Sequence, residues 1–158
     1  MLVVVNTGED NLDSEFDFGA LIEGPVPTIS LCAKIEAELS QLDVASRSEF
    51  MADLGISESA ADKFVRSCYS AMDLISFLTL KSDELRAWPV KKGSSALEAA
   101  GKVHSDIQRG FIRAETMAFS DLKVPGDEKA VRAAGKMRLE GKDYTVQDGD
   151  IITFRFNV

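Results

Sequence analysis

The apolar pattern changes period at residue 74, and that change limits the folds open to the chain. Upstream, between residues 33 and 72, apolar side chains recur at helical spacing. Downstream they alternate, as they do on a half-buried strand. Asp43 can cap a helix running to Leu54 and stopped by Gly55. Ser57 or Ser59 can cap another that reaches about Met72, with Phe64, Val65 and Cys68 on one face. Leu74 to Lys81 and Leu85 to Lys92 flank Ser82-Asp83-Glu84 as a β-hairpin, and Ser94 or Ser95 can cap a helix from Ala96 to about His104. Ile112 to Phe119 reads as a strand, Asp127 to Ala134 as a short helix ended by Gly135, and Tyr144 to Val146 and Ile151 to Val158 as strands joined across Asp148-Gly149. The expected order in this half is β-β-α-β-(α)-β-β, a β-grasp (ubiquitin-like) α+β arrangement, with the boundary near Asp73.

The first half opens with Leu2 to Val5, a β-branched run followed by Asn-Thr-Gly that resembles a parallel strand buried on both faces; Pro25 to Leu31 reads as its neighbour. A short helix is expected around Phe16 to Ile22. The halves differ in charge: residues 1–80 hold 4 Lys and Arg against 14 Asp and Glu, and residues 81–158 hold 14 against 12. The overall charge of −8 speaks against a strongly nucleic-acid-binding protein, but the second half alone carries a small positive excess. Cys32 and Cys68 are the only thiols and His104 the only histidine. No disulfide framework, Cys-x-x-Cys pair or histidine-rich metal site follows from them. With no long apolar run and no secretory signal, the chain reads as cytoplasmic with no membrane contact.

Several segments carry a family resemblance. Arg86-Ala87-Trp88, Ala99-Ala100-Gly101, His104-Ser105-Asp106, Arg109-Gly110-Phe111-Ile112-Arg113-Ala114-Glu115, and the stretch from Arg138-Leu139-Glu140-Gly141 through Asp148-Gly149-Asp150 to Phe154-Arg155-Phe156-Asn157-Val158 resemble the C-terminal TGS region of the Obg-like ATPases, the YchF family. Val5-Asn6-Thr7-Gly8-Glu9 is similar to that family's Asn-x-x-Glu base motif, and Cys32-Ala33-Lys34-Ile35-Glu36 to the base-contacting loop that follows it. The resemblance implies that residues 1–73 are the α/β tail of a P-loop nucleotide-binding domain and residues 74–158 a TGS domain of β-grasp fold. It further implies a parent that hydrolyses ATP with Mg²⁺ and associates with ribosomes or RNA and with proteins.

The sequence contains no Gly-x-x-x-x-Gly-Lys-Ser/Thr loop to cradle phosphates. The chain is therefore expected to be a C-terminal fragment that binds rather than turns over, with ATP held weakly or not at all and no catalytic or metal-ligating residue of its own. By resemblance, Asn6, Glu9, Cys32, Ala33 and Lys34 form the base site. Asn6 offers an amide to a purine edge. Glu9, one methylene longer than the Asp that accepts from guanine, favours ATP over GTP. Arg86, Trp88, Lys91, Lys92, Arg138, Lys142 and Arg155 are candidate RNA or partner contacts, although Trp88 reads equally well as core. His104, Ser105 and Asp106 are too close in sequence to form a triad, and Glu36 and Glu38 point to different sides of a helix. The chain ends without the Gly-Gly that sulfur carriers and ubiquitin-like modifiers need. Two alternatives stand beside the binding reading: homodimer assembly through an exposed sheet edge, and hydrolysis only together with an N-terminal half.

Overall fold

The computed structural model describes all residues except 12, 13, 15, 17, 19–25, 82, 83, 124–126 and 158. They form two compact units, Met1–Met72 and Asp73–Val158. Most of the helix expected at Phe16 to Ile22 and the tip of the hairpin at Ser82-Asp83 lie outside the described residues.

In the first unit, β1 (Val3–Asn6) pairs in parallel with β2 (Thr28–Leu31), with Asn6 opposite Leu31. Three helices follow: α1 (Ala33–Leu39), α2 (Val44–Asp53) and α3 (Ala60–Ala71). Local chemistry sets their ends. The Asp43 carboxylate accepts from the N–H of Ser46 at 3.0 Å, the Ser46 hydroxyl at 3.1 Å and the N–H of Ala45 at 3.0 Å, which hold it below the usual carboxylate range. Gly55 takes φ 70° and closes α2, with Ile56 N–H donating to Met51 O and Gly55 N–H to Ala52 O, a left-handed turn in which a side chain would be strained. Ser59, rather than Ser57, caps α3. Cys32, Ile35 and Leu39 are buried against Leu42, Phe50, Met51 and Ile56. The expectation that β1 is buried on both faces is corrected: Val4 is 44% exposed, and among the described residues this sheet has two strands with the Val4 face left open.

The second unit holds a five-stranded mixed sheet in the order β4-β3-β7-β5-β6. Its strands are β3 (Leu74–Lys81), β4 (Glu84–Lys91), β5 (Phe111–Ala118), β6 (Arg138–Glu140) and β7 (Asp150–Phe156). Only the β3–β7 pair is parallel. Between β4 and β5 lie α4 (Ala96–Val103) and α5 (Ser105–Arg109), and between β5 and β6 lie α6 (Phe119–Lys123) and α7 (Glu128–Ala133). Ser95, not Ser94, starts α4 through a reciprocal capping box with Glu98.

Both sheet faces are covered. On one, Phe77, Val90, Ala114 and Ile152 pack with Ala96 and Ala99 of α4, whose small side chains let the helix approach closely. On the other, Met117 and Ile151 pack with Val131 of α7. Ser76 donates its N–H to Asp148 and accepts from Gly149 N–H, both at 2.8 Å, so its backbone faces away from β4. Pro89, opposite Ser76, therefore turns its donor-less nitrogen toward the open edge, where it costs no ladder bond and blunts pairing with another strand.

One strand differs from expectation. Tyr144 to Val146 does not pair with β7; β6, at Arg138–Glu140, takes the place beside β5. The backbone of 144–146 is committed elsewhere. Ala96 N–H donates to Tyr144 O at 2.8 Å and Val146 N–H to Ser94 O at 3.0 Å, so the segment anchors the start of α4. Asp148-Gly149 consequently turns the chain into β7 without closing a hairpin.

Candidate nucleotide-base site and basic positions

The parallel register of β1 and β2 brings the carboxyl ends of the two strands together, the end at which α/β sheets bind ligands. Asn6 closes β1, and α1 begins two residues after its partner Leu31. Ala33 N–H donates to Asn6 Oδ1 at 3.0 Å, and Lys34 Nζ reaches Glu9 Oε1 at 2.6 Å. Thr7 adds a backbone bond to Leu31 O at 2.8 Å. Four of the five residues predicted for the base site thus meet, although 25 and 27 positions separate the bonded pairs. Cys32 is the fifth. It precedes α1 but is buried in the core beneath, so its side chain is packing rather than lining.

The bonds define what the cluster offers. The Oδ1 of Asn6 is engaged, leaving its NH₂ to donate outward, and the N–H of Ala33 is spent on Asn6 rather than free for a ligand. The Glu9 carboxylate beside Lys34 raises the ammonium above the ordinary lysine range, first through the hydrogen bond and then through charge. Glu9 and Lys34 are well exposed, with side-chain accessibilities of 51% and 70%, so a ligand can compete for either.

In the second unit the predicted basic positions separate into two groups. Arg86 pairs with Glu84 at 3.0 Å and lies 5.5 Å over the Trp88 ring; Trp88 packs against the core and donates Nε1–H to Thr79 Oγ1 at 2.9 Å. Arg155 grips Glu115 with two bonds of 3.1 and 3.2 Å, and Arg132 joins the same carboxylate at 3.0 Å. Arg138 bonds Glu140, the Tyr144 hydroxyl and Asp150. Lys91, Lys92 and Lys142 are exposed and form no ion pair among the described residues. Strand parity along the sequence could not reveal the Glu115 and Asp150 centres, because they depend on the β5–β7 register and on the path of 138–150. Among the described residues no group of three or more His, Cys, Asp or Glu is placed to hold a metal ion, and no helix is long and apolar enough to cross a membrane.

The geometry can be set beside known proteins. The family model YchF-GTPase_C, described as a protein of unknown function (DUF933), matches residues 74–157. The chain is 50% identical over 130 residues to the ribosome-binding ATPase YchF of Bacillus subtilis, covering 82% of this chain and 36% of that protein. Against the protein of the same description from Escherichia coli O157:H7 it is 40% identical over 163 residues, covering 99% and 44%. Human Obg-like ATPase 1 is 41% identical over 143 residues, covering 90% and 34%. The solved structure of the Schizosaccharomyces pombe YchF GTPase superposes with a TM-score of 0.82 at 29% identity, over 98% of this chain and 43% of that one. This mixed α/β chain belongs to the YchF family, and residues 74–157 correspond to its C-terminal region. The chain spans less than half the length of these relatives.

Proposed function

We propose that this chain is a binding module of a YchF-type nucleotide-binding protein. Residues 1–72 supply the adenine-recognising corner of a nucleotide-binding domain, and residues 74–157 form a TGS domain of β-grasp fold that docks on the ribosome through RNA. The observation that carries the first part is the Asn6–Ala33 bond at the carboxyl ends of β1 and β2, with Glu9 on Lys34 beside it. With Oδ1 held by Ala33, the Asn6 amide presents donors suited to the N7 acceptor of a purine, and the outer carboxylate oxygen of Glu9 accepts from an exocyclic amino group such as adenine N6. The β-grasp assignment is supported by the helix α4 laid across a mixed sheet that begins with the β3–β4 hairpin.

The names of the bacterial relatives support a ribosomal partner. The lysines without ion-pair partners, Lys91, Lys92 and Lys142, are the contacts available to phosphates, whereas Arg86, Arg138 and Arg155 would first have to leave carboxylates. Because the sequence holds no phosphate-cradling loop, the chain alone binds ATP weakly and does not hydrolyse it; Mg²⁺ belongs to a longer parent.

Titration of the chain with adenosine and guanosine, followed by backbone amide shifts, tests the base site. Adenosine is expected to shift Asn6, Glu9 and Lys34 at millimolar concentration, with guanosine weaker and the response lost in Asn6→Ala. Equal responses to both nucleosides, or none at these residues, would refute it. For docking, co-sedimentation with ribosomes should fall with salt, and a Lys91, Lys92 and Lys142 to Gln variant should lower the log–log slope by about 2–3. A slope untouched by the substitutions would remove these lysines from the interface.

A further inference from the structure

Between α4, Gln108 near the end of α5 and the open end of the β3–β4 hairpin lies an open groove of about 570 Å³, within the size range of small-ligand sites. Leu74 and Pro89 give it apolar surface, while Val90 borders it with its side chain buried in the core. Its polar lining residues besides Glu98, namely Lys91, Lys102, Ser94 and Gln108, all carry donors, two of them cationic; the Ser94 hydroxyl and the Gln108 carboxamide can also accept. None of these four side chains has a hydrogen-bond or ion-pair partner among the described residues. The groove's carboxylate, Glu98, is turned back into the capping box, where Oε2 accepts from Ser95 N–H at 2.7 Å and Ser95 Oγ at 3.0 Å.

Gly101 is the second distinguishing feature. A glycine inside a helix weakens it relative to alanine. Here the missing methyl has a tenant: a Cβ on Gly101 would lie 2.8 Å from the Gln108 Cδ and Oε1 and 2.9 Å from its Nε2. The bare helix surface at Gly101 seats the Gln108 carboxamide at the groove wall.

We propose that this groove binds a small phosphate-bearing molecule, with Lys91 and Lys102 as its charge partners, Ser94 and Gln108 as hydrogen-bond donors, and Gly101 as the seat that positions Gln108. Two flexible ammonium groups suit a phosphoanion as point charges, and two neutral donors supply direction. A ligand of this size covers Leu74 and Pro89 with its remaining atoms. Every residue of the site belongs to the second unit, so the proposal does not rest on the adenine reading; it shares Lys91 with the proposed ribosomal contacts, and Lys102, which is not among them, tells the two apart.

The test uses the whole chain, with pyrophosphate as the probe and amide shifts as the readout. Saturable shifts are expected at the Gly101 N–H and the Gln108 side-chain NH₂, absent with sodium chloride at matched ionic strength. Lys91→Gln and Lys102→Gln should each weaken binding about tenfold. Gly101→Ala should weaken it while leaving the thermal midpoint unchanged or higher, since the displaced neighbour is the free end of a side chain. Gln108→Ala provides a second variant that leaves the helix backbone alone. Shifts spread evenly over all exposed lysines, or insensitive to these four substitutions, would overturn the proposal. So would a response to a short oligoribonucleotide without terminal phosphates but not to pyrophosphate, which would make the groove part of an RNA-docking surface.

Discussion

Gly110 and Asn157 face each other backbone to backbone: Asn157 N–H donates to Gly110 O at 2.9 Å, and a Cβ on Gly110 would fall 2.0 Å from Asn157 O. The φ of Gly110 is −90°, open to any residue, so the requirement for glycine here is steric. The contact ties the turn after α5 to the end of β7 and so fixes where β5 begins.

Gly110→Ala is expected to destabilise the second unit by about 3 kcal/mol, the upper end for overpacking, because the opposing atom belongs to the backbone and cannot rotate away. Urea unfolding monitored by Trp88 fluorescence gives the measurement. A change within a few tenths of a kcal/mol would mean that β7 ends without this contact.

Glu115 sits at 8% exposure between Arg155 and Arg132, and directly opposite Arg155 across the strands lies Arg113. Like charges at a cross-strand pair repel, and Glu115 offsets that repulsion. The Arg155 hydrogen bond, opposed by desolvation and aided by Arg132, holds the carboxyl below its ordinary 4.5. A depressed folded-state value means that the contribution is complete above about pH 4.5 and is lost as pH falls through the lower folded value. Glu115→Gln should cost about 1–2 kcal/mol at neutral pH, limited by the half-exposed guanidinium groups. Its stability should also fall less than the parent's between about pH 5 and pH 3. Parallel slopes for the two proteins over that window would contradict the assignment.

The Tyr144 hydroxyl donates to the buried Asp150 at 2.7 Å and accepts from Arg138 at 3.0 Å. Burial first, and then the bond to Asp150, push the phenol up to about 12. A raised folded-state value makes this contribution complete below the ordinary 10.0 and lost as pH climbs toward 12. In a Tyr69→Phe background, which leaves one phenol, tyrosinate absorbance should appear near 12. Tyr144→Phe should cost about 1–3 kcal/mol, since Asp150 stays buried with one donor fewer. Titration near 10 with an unperturbed fold would show the hydroxyl to be solvated.

Much of the architecture can be read along the chain because its causes act over three or four residues. The cap at Asp43 and the left-handed stops at Gly55 and Gly135 stand where the pattern places them. Tyr144 to Val146 misleads for the opposite reason. Its alternation fits a strand, but its hydrogen bonds go to Ser94 and Ala96, about fifty residues upstream, a preference no local window contains.

The same division holds for function. The sequence by itself determined the family, through motifs whose residues are contiguous, and nominated Asn6, Glu9 and the Ala33 segment together. Only the tertiary structure decided which groups are free to act. Ala33 N–H and Asn6 Oδ1 satisfy each other; Arg138 and Arg155 are bound to carboxylates; Lys102, Gln108 and Gly101 share a groove with Lys91. The physical reason is range: a motif records which side chains are present, while the partner that engages each donor is set by strand register and helix packing between segments far apart in the chain.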